Sequence, residues 1–121
     1  MTELRFDPLA LADLATSQLG ESTNPARVIS GTPEASELVL REEDGTEIGV
    51  WEITPGSFHS SKHGISEFMY FLSGSGTITR KNGDAIAISP GAFVSLPDGS
   101  EVIWDVRETT RKLYIITTTT A

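Results

Sequence analysis

The sequence predicts one all-β domain that closes as a sandwich or a barrel. From Arg27 onward, short runs rich in β-branched and aromatic residues alternate with turn-forming clusters. The turn signals are Glu43-Asp44-Gly45, Pro55-Gly56, Gly74-Ser75-Gly76, Asn82-Gly83-Asp84, Pro90-Gly91 and Pro97-Asp98-Gly99. No helical pattern separates the runs, which argues against βαβ units. A chain of 121 residues suits a single domain, so we assign residues 27–121 to the β-domain.

Residues 1–26 are predicted to form an arm that precedes this domain. Small and polar residues dominate the segment, and residues 20–25 are a cluster of turn formers. Leu9, Leu11, Leu14 and Leu19 are spaced so that they could line one side of a short helix. We expect such an arm to lie on its own barrel or on that of a partner.

The sharpest hairpin signal in the β-domain is Asn82-Gly83. A two-residue type I′ turn needs positive φ at both central positions, and this dipeptide tolerates that conformation well. Residues 77–81 and 85–89 are therefore expected to pair antiparallel. The last strand, predicted over residues 112–118, is expected to close the barrel.

The acidic composition argues against nucleic acid as a partner. Nine Lys and Arg residues stand against 17 Asp and Glu residues, for a net charge of -8, whereas each phosphate contact needs a basic residue. The adjacent pair Arg111-Lys112 points to opposite faces of its strand and forms no basic patch.

No apolar run reaches the roughly 18 residues of a membrane span, and neither an export signal nor a cysteine is found. A cytoplasmic protein without membrane contact is expected.

The run of residues 67–72 predicts a homodimer. After Glu67 the run is apolar on both alternating faces, as expected of a strand that is covered on both sides. A lone barrel of this size has little material to cover its outer face, and a second copy of the chain is the simplest cover. We therefore expect two chains to pack sheet to sheet.

Two stretches of the sequence resemble the two motifs of the cupin superfamily. The first contains Gly56, His63, Glu67 and Gly74, with six residues between Glu67 and Gly74. The second is GAFVSLPDG at residues 91–99. The resemblance implies an RmlC-like jelly-roll β-barrel, in which the two motifs form neighbouring strands whose inward side chains meet.

The likeness is closer to small single-domain cupins similar to the barrel halves of (S)-ureidoglycine aminohydrolase. The matching residues are Gly49-Val50-Trp51-Glu52, Thr54-Pro55-Gly56, Glu67-Phe68-Met69-Tyr70, Leu72-Ser73-Gly74, Pro97-Asp98-Gly99, Trp104 and Lys112. The likeness covers residues 31–118, and the order and spacing of the matches support the fold better than any single match does.

The resemblance implies a metal site that this sequence retains only in part. Metal-containing cupins hold iron, manganese, zinc or nickel through two histidines and a glutamate of the first motif and a histidine of the second. His63 and Glu67 match two of these positions, whereas Ser61 and Val102 occupy the other two. Because transition metals usually take three or four protein donors, the incomplete set favours the absence of a metal.

His59 offers an alternative third ligand. Residues four apart share a face of a strand, so His59, His63 and Glu67 could form a set of two histidines and one carboxylate for a divalent metal. Four strand residues span about 13 Å, so this set requires a bend near Gly64. The competing expectation is that His59 is an exposed loop residue.

We predict a ligand pocket in the barrel interior. The cupin resemblance implies that Val102 points inward, and strand alternation then places Trp104 on the same face; Met69 shares the face of Glu67. Together with Trp51, these residues are assigned to the pocket lining, which is apolar with a few polar groups. The alternative for Trp104 is packing in the core.

Glu67 and His63 are predicted to act at this pocket as a catalytic acid–base pair. An inward carboxylate is costly to bury without a partner. The alternatives for Glu67 are therefore a salt bridge with a basic residue such as Lys112, or compensation by a metal, a water molecule or a ligand.

Three functions are compatible with these features. The first is a cupin that binds a small polar molecule in the barrel without catalysis. The second is a metal-dependent cupin enzyme that acts on a small amine, amide or sugar-acid metabolite. The third is a non-catalytic dimerisation module, which an occluded interior would favour.

Overall fold

The computed structural model describes residues 11–119. Within them the chain forms a short helix, α1 (Leu11–Thr16), and eight strands: β1 (Val28–Gly31), β2 (Ala35–Glu43), β3 (Thr46–Ile53), β4 (Gly56–Ser61), β5 (Ile65–Arg80), β6 (Ala85–Ile88), β7 (Phe93–Leu96) and β8 (Glu101–Thr118). This architecture confirms the predicted all-β fold class. None of the described helical residues belongs to a helix long and apolar enough to cross a membrane.

Two long antiparallel strands, β5 and β8, organise the barrel. The first half of β5 pairs with β7 and its second half with β6. β8 pairs with β4 over residues 101–106 and with β3 over residues 110–117. β1 extends the sheet beyond β4, and β2 extends it beyond β3. Both halves of the barrel therefore share β5 and β8.

The core fills the space between these halves. Its buried side chains come from β3 to β8 and are Ile53, Phe58, Met69, Phe71, Ile78, Ile88, Val94, Leu96, Val102, Trp104 and Val106. In the first part of β8, residues 101–106, the alternation is regular, since Val102 and Trp104 are buried while Ile103 and Asp105 are exposed. The predicted inward direction of Val102 and Trp104 is confirmed.

The type I′ turn lies at a different hairpin from the predicted one. Residues 76–79 and 85–88 do pair antiparallel, but Asn82 lacks a positive φ. Gly83, at φ 99°, donates its amide hydrogen to the Arg80 carbonyl, so the hairpin has a three-residue loop with glycine in the last position. The two-residue turn is instead Asp44-Gly45, where both φ values are positive between the paired residues Glu43 and Thr46.

Part of the predicted arm packs on the barrel. Leu14 in α1 is buried, and Arg111 of β8 donates from Nη1 to the carbonyl oxygens of Leu14 and Ser17, at 2.9 Å each. These carbonyls lie at the end of the helix, where backbone acceptors have no partner within the helix. The first ten residues, including Leu9 of the predicted apolar stripe, lie outside the described residues.

The outer face of β5 and β7 carries exposed aromatic side chains. Phe68 is 42% exposed and Phe93 is 66% exposed, and their ring centroids are 6.1 Å apart. Ile115, the partner of Phe68 across β8, is also exposed. The inward residues Met69 and Phe71 are fully buried.

Candidate ligand-binding site

A buried carboxylate lies between two lysines inside the barrel. Glu67 belongs to the inward row of β5, and its side chain is only 2% exposed. Its Oε2 atom accepts a hydrogen bond from Lys112 Nζ at 2.7 Å, and its Oε1 atom is 2.8 Å from Lys62 Nζ. The salt bridge with Lys112, which the sequence left open as one alternative, is present.

Lys112 reaches Glu67 across an aromatic cage. Its Nζ atom is 4.3 Å from the centroid of the Trp51 ring and 4.9 Å from that of Trp104. It also contacts the Met69 sulfur at 3.3 Å. An ammonium group this close to aromatic faces is attracted by their negative potential, so the rings partly replace the water that Lys112 loses on burial.

The ionisation of this cluster follows from one carboxylate being shared by two ammonium groups. Burial by itself raises the pKa of Glu67, but the nearby ammonium groups of Lys112 and Lys62 outweigh burial and hold that pKa below its usual value. Burial lowers the pKa of Lys112, and Glu67 offsets only part of this effect because Lys62 opposes it. Glu67 is thus an ionised carboxylate at neutral pH.

Lys62 owes its position to the turn between β4 and β5. The Lys62 amide donates to the Ser100 carbonyl at 2.9 Å, and the Lys62 carbonyl accepts from the Gly99 amide at 2.7 Å. Gly64 has φ 75°, which is favourable for glycine, and donates its amide hydrogen to Asp98 Oδ1. The turn therefore breaks the strand alternation directly after Ser61.

A second polar group surrounds Tyr114 on β8. Its hydroxyl is 2.6 Å from Glu47 Oε2 and 3.3 Å from Glu37 Oε2. Burial and these carboxylates raise the pKa of Tyr114 far above its usual range, so the hydroxyl stays protonated. The tyrosine fits because its partner across the sheet is Gly49, where a side chain would lie 2.5 Å from the hydroxyl oxygen.

Both polar groups open onto one cavity of about 240 Å³. Its wall combines the charged residues Glu37, Lys62, Glu67 and Lys112 with Tyr114 and with aromatic rings. The rings are those of Trp51, Phe58 and Trp104, and Phe58 stacks on Trp104 with centroids 5.8 Å apart. An apolar lining with a few convergent polar groups is typical of a small-molecule site.

The predicted pocket residues divide into two groups. Trp51, Trp104 and Glu67 line the cavity. Met69 is fully buried and contacts Lys112 through its sulfur, but it does not line the cavity. Val102 is buried in the core and is not among the residues that line this cavity.

The expected placement of the histidines is wrong. His63 is exposed in the turn between β4 and β5, so it does not form a pair with Glu67 in the lumen. His59 belongs to the opposite face of β4 from Phe58, which points into the core, and its partner across the sheet is the exposed Ile103. The polar residues of this region that line the cavity are Ser60 and Lys62.

The described residues do not fit the metal site that the cupin resemblance implied. His59, His63 and Glu67 do not converge, and among residues 11–119 no three His, Cys, Asp or Glu side chains are grouped to hold a metal ion. Each oxygen of Glu67 is instead bound by a lysine ammonium group, which carries the positive charge that a metal would bring.

Sequence reasoning missed Lys62, Glu37 and Tyr114 as cavity residues. A signal for Tyr114 was present, because Trp104, Lys112 and Tyr114 keep the same parity along β8 and lie on one face. Lys62 carried no such signal, since its direction depends on a turn rather than on a strand.

This combination of a jelly-roll barrel and a polar lumen defines the chain as a cupin. Residues 40–114 match the family model of the EutQ-like cupin domain. The match covers more than half of the chain, which therefore belongs to the family of EutQ-like cupin domains.

Solved structures of similar fold include three that cover most of the chain. A protein of unknown function from Pseudomonas syringae pv. tomato DC3000 is 27% identical, with a TM-score of 0.71, over 83% of this chain and 43% of its own. The EutQ protein of Clostridium difficile is 19% identical, with a TM-score of 0.63, over 71% of this chain and 64% of its own. A putative ethanolamine utilization protein Q from Salmonella typhimurium is 17% identical, with a TM-score of 0.61, over 87% of this chain and 99% of its own.

The chain thus spans less than half of the Pseudomonas protein and 64% of the Clostridium protein. The two similarities below 25% identity support the fold alone. No curated protein matches the chain significantly.

Proposed function

We propose that this cupin domain binds a small polar molecule in its barrel and recognises it through fixed charges. The observation that carries the proposal is the buried carboxylate of Glu67 between Lys62 and Lys112, 2.8 and 2.7 Å away, on the wall of an open cavity. Charged groups inside a protein are costly unless they are paired, and this cluster borders a space that a ligand can enter.

The size and lining of the cavity support a ligand of metabolite size. Its volume of about 240 Å³ is below the roughly 300 to 1,000 Å³ of pockets that hold drug-sized ligands. Trp51 and Trp104, with ring centroids 5.4 Å apart, offer a rigid aromatic wall. An open cavity of this kind argues against a module whose interior is occluded and whose role is dimerisation alone.

The metal-dependent alternative, which the resemblance to metal-containing cupins suggested, has less support. Lysine ammonium groups bind both oxygens of Glu67, and His63 is exposed. An acid–base pair of Glu67 and His63 lacks the required proximity for the same reason. Binding without a metal therefore agrees best with the residues of the lumen.

Intrinsic fluorescence provides the test, because the only two tryptophans of the chain both line the cavity. Purified protein is titrated with short-chain carboxylic acids, amines, amino acids, amides and alcohols, and metal content is measured in parallel. We expect a saturable change in fluorescence with at least one compound, without stoichiometric metal.

Two substitutions control this experiment. Lys112→Met should weaken the response, whereas Lys81→Met, which changes a lysine that is 80% exposed, should leave it unchanged. Circular dichroism verifies that both variants are folded. If the folded wild-type protein gives no saturable response with any compound, the proposed function is wrong.

A further inference from the structure

The cavity is electrically asymmetric, and its two ends suit different groups of one ligand. At one end, two lysines share the single carboxylate of Glu67; with both lysines protonated and Glu67 ionised, the cluster carries one positive charge in excess. Lys62 is the more accessible of the two lysines, with 14% of its side chain exposed against 6% for Lys112. A ligand carboxylate beside Lys62 would balance this charge through charge-assisted hydrogen bonds.

The other end of the cavity is negative. The Tyr114 hydroxyl has one hydrogen to donate, and Glu47 at 2.6 Å is a nearer acceptor than Glu37 at 3.3 Å. Glu37 lines the cavity and therefore keeps acceptor capacity on the cavity side. A ligand ammonium group would donate a hydrogen bond to Glu37.

The two ends lie on one row across the sheet. Lys112 pairs with Trp51 across β8 and β3, and Trp51 pairs with Glu37 across β3 and β2. Neighbouring strands are about 4.8 Å apart, so the backbones of Lys112 and Glu37 are separated by about 10 Å. The Trp51 ring lies between the positive and the negative residue, and it suits both a short hydrocarbon chain and a nearby cation.

We propose that the cavity selects a small zwitterion, that is, a short molecule with a carboxylate at one end and an ammonium group at the other. This inference rests on the proposed function and adds the class of ligand. The carboxylate faces Lys62, the ammonium group faces Glu37, and the chain between them lies along Trp51. A simple acid would meet the Glu37 carboxylate with like charge, and a simple amine would meet the excess positive charge near Lys62.

Matched probes test this selectivity. Glycine, β-alanine and γ-aminobutyrate are titrated by tryptophan fluorescence and by calorimetry, and each is compared with the acid and the amine of the same chain length. We expect at least one amino acid to bind about tenfold more tightly than both of its matched partners, because it makes charge-assisted bonds at both ends. Equal affinity of every amino acid and its matched acid or amine would overturn the inference.

Two variants test which end of the cavity binds the ligand carboxylate and which end binds the ligand ammonium group. Glu37→Gln should remove the preference for the amino acid over the acid, and Lys62→Met should remove its preference over the amine. Glu101→Gln changes an exposed glutamate of β8 outside this cavity and should retain both preferences. Retention of both preferences in Glu37→Gln and Lys62→Met contradicts the assignment.

The outcomes also separate this inference from the proposed function. If acids, amines or alcohols bind in the cavity but no amino acid is preferred, the binding function stands and the zwitterion is excluded. If no probe and no compound of the wider panel binds to the folded protein, both proposals fail.

Discussion

Arg111 and Lys112 are neighbours in β8 and bind partners on opposite faces of the barrel wall. Arg111 points outward, where it binds the backbone carbonyls of Leu14 and Ser17 and approaches Glu52 at 3.3 Å. Lys112 points inward to Glu67 at 2.7 Å. Arg111 thus binds the amino-terminal segment to the barrel, and Lys112 forms part of the candidate site.

Replacing Glu67 should destabilise the fold strongly. Glu67→Gln leaves the buried ammonium group of Lys112 and the partly exposed one of Lys62 without their carboxylate, and breaking a buried ion pair from one side typically costs about 3 to 5 kcal/mol. The measurement is the free energy of unfolding in urea. Glu101→Gln, which breaks the exposed pair with Lys81, should cost less than about 1 kcal/mol; equal effects of the two variants would contradict the buried role of Glu67.

The stability contributed by Glu67 should disappear in acid. Its pKa in the folded chain lies below the ordinary value of 4.5, so the folded state binds fewer protons than the unfolded state in that range. The contribution is therefore complete above about pH 4.5 and is lost as the pH falls through the folded pKa. Urea unfolding at about pH 6 and about pH 3 should show the gap between wild type and Glu67→Gln narrowing in acid, and an unchanged gap would refute this linkage.

Removing the Arg111 side chain should release the helix. Arg111→Met loses two hydrogen bonds from a charged donor to α1 and its end, and such bonds contribute about 1.5 to 3 kcal/mol each after exchange with water is included. We expect faster hydrogen exchange at residues 13–19 and little change in β5. Arg107→Met replaces an exposed arginine of the same strand and should leave exchange unaltered.

Adding a methyl group at Gly49 should displace Tyr114. A Cβ atom there lies 2.5 Å from the tyrosine hydroxyl oxygen and 2.7 Å from the Leu38 carbonyl oxygen, and overpacking of this kind costs about 1 to 3 kcal/mol. Gly49→Ala should lower the midpoint of urea unfolding. In the background of Tyr114→Phe the same change should cost less, because the closest of the three contacts is gone; strict additivity of the two substitutions would argue against this contact.

The predicted homodimer is best tested at the exposed aromatic face. Phe68 and Phe93 are in ring contact on the outer surface, with Ile115 nearby, and a second copy would cover all three. Light scattering after gel filtration should give a dimer for wild type and a monomer for Phe93→Glu, with unchanged circular dichroism. A wild-type protein that is monomeric at high concentration would exclude this interface.

Strand alternation explains what the sequence could predict. The cupin resemblance correctly gave the inward direction of Val102 and Glu67, and strand parity then placed Trp104 on the face of Val102. The excess of turn formers identified the hairpins. Parity and turn signals depend on local backbone geometry, which the order of the residues determines.

The identity of the residue beside Glu67 depends on tertiary contacts instead. Whether Lys62 or His63 points inward is decided by a turn that binds the Ser100 carbonyl and the Asp98 side chain, and neither contact is visible from local sequence. At the Asn82 hairpin the register of β5 and β6 leaves a three-residue loop, so the two-residue turn that the dipeptide predicted does not form. Local sequence patterns therefore do not predict contacts between segments that are distant in the sequence.

The uninterrupted course of β8 has a consequence for how this domain tolerates insertions and deletions. A single-residue deletion between residues 106 and 110 would keep the pairing with β4 but rotate every later side chain to the other face. Lys112 would then face the solvent and Arg111 the lumen. Length changes should therefore accumulate in the hairpin loops of this family, while the spacing from Trp104 to Tyr114 stays constant.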